Sequence, residues 1–169
     1  MNNNVEIARP VFKGLSWCNE QHYSFFIPID WRRVERPDGQ EGIIYIPPSA
    51  DAQTFYAVQV EDIGTAVTSE DIPDLEQGLL KSIQQQTDSH IEAQTHSAVG
   101  QLVELEGKFT FLEGTERRKR WVRILYHESR QVTFIAQGRT EQIYHYWLPM
   151  FYEAMMTLKV HSSKPTLPD

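Results

Sequence analysis

The sequence predicts an α+β fold, a mainly antiparallel β-sheet covered by amphipathic helices in an α/β/α sandwich. Three observations carry this reading. Short apolar runs punctuated by turn residues fill 12–60, similar runs return over 100–137, and the apolar spacing switches to the helical period after each of these β-rich stretches. Runs of strands set apart by single helices, without regular strand–helix alternation, argue for antiparallel pairing. At 169 residues the chain has the length of one domain and can bury a real core. We set that domain at 11–160, with tails at 1–10 and 161–169.

Phe12 to Cys18 and Tyr23 to Ile29 read as two strands joined by the polar turn Asn19-Glu20-Gln21. Pro28 cannot donate a ladder hydrogen bond, so it marks an edge or an exit. Trp31 to Arg36 and Gly42 to Ile46 flank Pro37-Asp38-Gly39, where proline presets φ and glycine tolerates a positive φ. That is a second hairpin, and Phe55 to Val60 alternates as a further strand. The period then changes. Thr68-x-x-Asp71 resembles a capping box with Asp in place of Glu, and Pro73 suits a first helical turn. Ile72, Leu75, Leu79, Leu80 and Ile83 fall on one face of a helix expected to end near Gln86.

Gly100 to Glu106, Lys108 to Glu113, Arg120 to Tyr126 and Gln131 to Gln137 have strand length. Gly107, Gly114 and the polar stretch from His127 to Arg130 punctuate them into a meander. A closing helix is expected from Gln142 to Val160, where Ile143, Tyr146, Trp147, Met150, Phe151, Ala154, Met155 and Leu158 make a wide apolar stripe. Pro149 is expected to kink or restart it.

This order of elements, the Tyr-x-Phe-x-x-Pro-x-x-Trp pattern of "YSFFIPIDW", and the ending "TEQIYHYWLPMFYEAMMTL" resemble the Mog1/PsbP-like superfamily over roughly 10–160. Members of that superfamily include a Ran-binding nuclear factor, photosystem II extrinsic proteins, envelope proteins of the DcrB kind and chaperones of type VI secretion effectors. The resemblance implies a protein that holds a protein partner, such as a secreted effector, and does not turn over a substrate. It also places Trp31 at the sheet end, with packing as its first role and partner contact as its second.

Composition narrows the class of partner. A formal net charge of −7 repels nucleic acid and anionic membrane surfaces. No run reaches the roughly 18 apolar residues of a membrane span, and "MNNN" lacks the basic start and apolar stretch of a secretory signal, so a cytoplasmic location is expected. The lone Cys18 cannot form an internal disulfide and reads as a small buried hydrophobe. His22, His90, His96, His127, His145 and His161 show no ligand spacing; the His90/Glu92 pair is the nearest approach to one. GxSxG, P-loop and GxGxxG motifs do not occur. We therefore expect no catalytic residue, bound metal or cofactor.

Two charged segments stand out. Glu61, Asp62, Glu70, Asp71, Asp74 and Glu76 occupy 61–76 without a Lys or Arg, and acids near a helix start suit the helix dipole. "RRKRWVR" sets Arg117, Arg118, Lys119, Arg120 and Arg123 around Trp121. On a strand, Trp121, Arg123 and Leu125 share one face, while Val122, Ile124 and Tyr126 share the other. The second face is core. The first suits a partly exposed protein contact, with a solvated strand face as the alternative. The candidate partner-binding residues are thus Trp31, Arg120, Trp121 and Arg123, facing a protein partner or a second copy of the chain in a homodimer. The function expected is a non-catalytic protein-binding, chaperone or adaptor module. The alternatives are a small-ligand or metal-binding protein using a pocket between sheet and C-terminal helix, and an unrecognised enzyme.

Overall fold

A computed structural model describes residues 8–162; of the expected tails at 1–10 and 161–169, residues 1–7 and 163–169 lie outside the described residues. The strands are β1 (Leu15–Asn19), β2 (Tyr23–Pro28), β3 (Arg32–Glu35), β4 (Gly42–Ile46), β5 (Phe55–Asp62), β6 (His90–Val99), β7 (Leu102–Glu113), β8 (Glu116–His127), β9 (Arg130–Gly138) and β10 (Lys159–Val160). Two α-helices, α1 (Ile72–Gln84) and α2 (Glu141–Thr157), complete the chain. All pairings are antiparallel. The fold is α+β, and its main sheet has seven strands in the order β3-β4-β5-β9-β8-β7-β6.

Helix α1 covers one face of this sheet. Its expected cap forms, with the Thr68 backbone N–H donating to Asp71 Oδ2 at 2.8 Å ahead of a short 3₁₀ turn. Ile72, Leu79 and Ile83 then pack on Val103, Leu105, Phe109, Phe111, Val122 and Tyr126. Gly107 does not break the meander as expected. It lies inside β7 beneath α1, where an added Cβ would come 3.6 Å from Ile83 Cδ1, so its small size serves the helix contact and not a turn.

The opposite face is covered by α2 together with a second, three-stranded sheet in the order β1-β2-β10. The first hairpin therefore joins the covering layer and not the main sheet. Tyr23, Phe25 and Ile27 point into the core, where Phe25 meets Tyr45, Tyr56 and Phe134 edge-on at 5.9, 5.0 and 6.3 Å. On α2 the buried residues are Tyr144, Met150, Phe151, Ala154 and Met155, with Tyr144 in the place expected for Ile143.

Several boundaries move. β1 starts at Leu15, after Gly14 at φ +123°, and not at Phe12. β6 was not read as a strand, and β8 is longer than Arg120 to Tyr126. Helix α2 runs unbroken through Pro149, which is exposed, so water can serve the carbonyl left without a donor. It stops at Thr157, short of Val160. The Phe26 N–H donates to Thr157 Oγ1 at 3.0 Å, Leu158 turns extended, and Val160 pairs with Tyr23 in β10, so Val160 belongs to a strand and not to the helix. Among the described residues no helix is long and apolar enough to cross a membrane.

Candidate binding surface

The four residues expected to meet a partner lie inward. Trp121 is 2% exposed and Trp31 5%, and both belong to the core between the main sheet and the covering layer. Trp31 wedges edge-on against Trp147 and Phe151 at 5.5 and 5.7 Å, which is the packing role. Arg123 lies beside Trp121 on the α2 face as expected, but its Nε donates to Glu104 Oε1 at 2.6 Å and its Nη1 to the Met155 carbonyl. Arg120 points to the other face, donating from Nε to Gln137 Oε1 at 2.9 Å and stacking 4.9 Å over the Phe111 ring. Burial lowers its pKa.

The partly exposed strand face expected at Trp121 is thus interior, because α2 covers it. The rest of the basic run is also held within the chain: Arg117 by Asp88, Arg118 by Glu113 and Lys119 by Glu92. The ion-pair partners of these cations all lie outside the acidic segment 61–76. Glu76 from that segment bonds instead to His96.

The open apolar surface is elsewhere. Phe12, Leu15, Tyr146, Pro149 and Met150 line a cavity of about 560 Å³ between the segment entering β1 and helix α2. Tyr146 also lines a neighbouring cavity of about 790 Å³, walled by Val11, Ile143 and Trp147. Together they make a groove along the first half of α2. Around the larger cavity the rim charges form opposed pairs, Lys13 with Asp30 at 3.9 Å and Arg139 with Asp51 and with Glu116, the last at 2.7 Å, while Arg9 and Glu153 line the smaller cavity. Arg139 holds the Glu116 carboxyl below its usual range. Against the desolvation of its site, the Gln53 N–H and Arg139 do the same for Asp51.

Leu15 in the groove and Trp17 beyond it occupy the outward face of β1, opposite to Cys18, and Trp17 packs on Phe26 with ring centres 4.6 Å apart and planes tilted by 51°. Among the described residues eight large apolar side chains are exposed, and six of them (Val11, Phe12, Trp17, Ile29, Tyr152 and Met156) belong to this covering layer or the segments bordering it. That concentration distinguishes a surface from scattered exposure. The sequence held one signal for it: Phe26 is apolar at an outward position of β2.

The histidines do not converge. His90 faces Asp88 at 3.5 Å, while Glu92 sits at a β-bulge and reaches Lys119 at 2.8 Å, so the His90/Glu92 pair is split. Among the described residues no three His, Cys, Asp or Glu side chains are placed to hold a metal ion.

No family model matches the sequence, and no curated protein matches it as a relative. Solved structures do match. The solution structure of cyanobacterial PsbP (CyanoP) from Synechocystis aligns with a TM-score of 0.64 at 14% identity, over 95% of this chain and 98% of that one. The Saccharomyces cerevisiae Ran-binding protein Mog1p aligns with a TM-score of 0.54 at 9% identity, over 87% and 95% of the two chains. The fold is Mog1/PsbP-like. LpqN, involved in cell envelope biogenesis of Mycobacterium tuberculosis, shares it with a TM-score of 0.59 at 11% identity, over 83% of each chain. In this version of the Mog1/PsbP-like fold, the Tyr-x-Phe-x-x-Pro-x-x-Trp stretch builds core: Tyr23 and Phe25 face the main sheet, and Trp31 packs against the middle of α2.

Proposed function

We propose that the chain is a non-catalytic protein-binding module, an adaptor or chaperone, that receives an apolar segment of its partner along α2. The observation that supports this reading is the groove itself, an apolar floor that includes the exposed Phe12, with paired charges around its larger cavity, continued by the exposed Trp17. Covering an exposed aromatic of this size contributes about 2 kcal/mol, so a few such residues suffice for a specific complex. The fold is compatible with such a role, since the yeast protein that shares it is a Ran-binding protein. Because the floor is apolar and the charges around the larger cavity are already paired, binding should persist at high salt.

The test is affinity capture from the native host with wild type and with Phe12→Glu/Trp17→Glu, followed by binding of the purified captured protein. Wild type should hold its partner at high salt, and the variant should lose it. Equal retention by the variant removes the groove as the site. A cavity of about 560 Å³ also has the size of a small-ligand site, so a small apolar molecule carried through purification, seen by native mass spectrometry, would select that second reading.

A further inference from the structure

We propose that two copies of the chain pair edge to edge through β6, antiparallel about a two-fold axis, joining their main sheets into one. This rests on residues outside the α2 groove and stands independently of it.

The main sheet has two edges, and they differ. β3 is four residues long and carries Arg32, Arg33 and Glu35, the short charged form that blocks unwanted pairing. β6 is ten residues long, has no Lys, Arg or Pro, and is exposed at every position except the half-buried Gln94. Its one acid, Glu92, is turned to Lys119, and His96 is held by Glu76 from α1. Residues 93–99 therefore present a row free of formal charge along the outer edge. Such an edge is a template for another strand.

The chemistry of that row fits a second copy. A two-fold axis normal to the sheet keeps each face on its own side, so residues opposite one another must share a face. In β6, Ala93, Thr95 and Ser97 face the α2 side and Gln94 and His96 the α1 side, as their partners in β7 require. Pairing centred on Thr95 sets Thr95 against Thr95, Ala93 against Ser97 and Gln94 against His96. Small and hydrogen-bonding residues meet, and no like charges oppose. With a net charge of −7 two copies repel one another overall, and an edge row without unpaired acids adds little to that repulsion. The pairing also carries Val99 of one copy past the Ile91 end of the other, and these are the two exposed large apolar residues outside the α2 layer among the described residues.

Sedimentation of the full chain over a concentration series is the test. Wild type should move from 19.7 kDa to twice that mass, while Thr95→Lys/Ser97→Lys should associate at least tenfold more weakly with its far-UV spectrum and melting unchanged. As a second variant, Thr95→Cys should form a disulfide-linked dimer under oxidation, since the residue faces its own copy, and Val34→Cys on β3 should not. A wild type that stays monomeric, a double-lysine variant that still dimerises, or a Thr95→Cys chain that does not cross-link each overturns the proposal.

Discussion

Gly138 and Tyr144 leave no space between them: a Cβ added to Gly138 would lie 2.5 Å from Tyr144 Cα. Gly138 ends β9 and Tyr144 stands in the first turn of α2, where its N–H donates to the Thr140 carbonyl at 2.9 Å. The missing side chain sets how closely the helix lies on the sheet. Gly138→Ala should therefore destabilise the fold by about 3 kcal/mol, the upper end of overpacking costs, because backbone atoms cannot rotate away. Urea unfolding should show a lower midpoint with an unchanged slope.

Trp121 offers a direct test of interior against surface. Trp121→Ala should cost about 3–5 kcal/mol by denaturant unfolding, the range for a truncated core aromatic. A loss within about 0.5 kcal/mol, as expected for an exposed residue, would return Trp121 to the surface.

The start of α2 depends on one hydroxyl. Thr140 Oγ1 accepts from the Ile143 N–H at 3.1 Å. Thr140→Ala should lower stability by about 1 kcal/mol, and Thr140→Ser should retain most of it, since serine supplies the same acceptor.

Alkaline pH should weaken the fold. Burial pushes the Cys18 thiol above its ordinary value of 9.0, and burial followed by the bond to Cys18 pushes Tyr45 up to about 12. Between these limits the folded chain keeps protons that the unfolded chain has released. Stability is then fully present below about pH 9 and falls as pH rises toward 12. Denaturant midpoints across that range should decline, and the Cys18 thiol should react with a disulfide reagent only after unfolding.

The legible parts of the chain were those whose signal is local. The capping box at Thr68 and Asp71 and the turn glycines, such as Gly114 at φ +63°, act over three or four residues and appear where expected. The alternation of Tyr23, Phe25 and Ile27 likewise marked a buried face correctly. β6 escaped because an edge strand exposed on both faces has no apolar alternation to read. The α2 groove escaped because its walls, Phe12 and Tyr146, lie far apart in the chain.

Period and turn chemistry mark the strands with a buried face and the two helices, since each depends on neighbours a few residues away; hence the α+β class follows from the residues alone, while the exposed edge strand β6 does not. Layering does not. Alternation divides β8 into a Trp121 face and a Val122 face, but each is core only because a separate element, α2 or α1, lies over it. The same holds for the charges of "RRKRWVR". Arg123 looks available until the β7–β8 register brings Glu104 and Glu106 beside it and α2 ends with the Met155 carbonyl in reach. Such pairing is set by contacts between segments distant in sequence, which is why the open apolar surface lies on the outer side of α2 and β1 and not on β8.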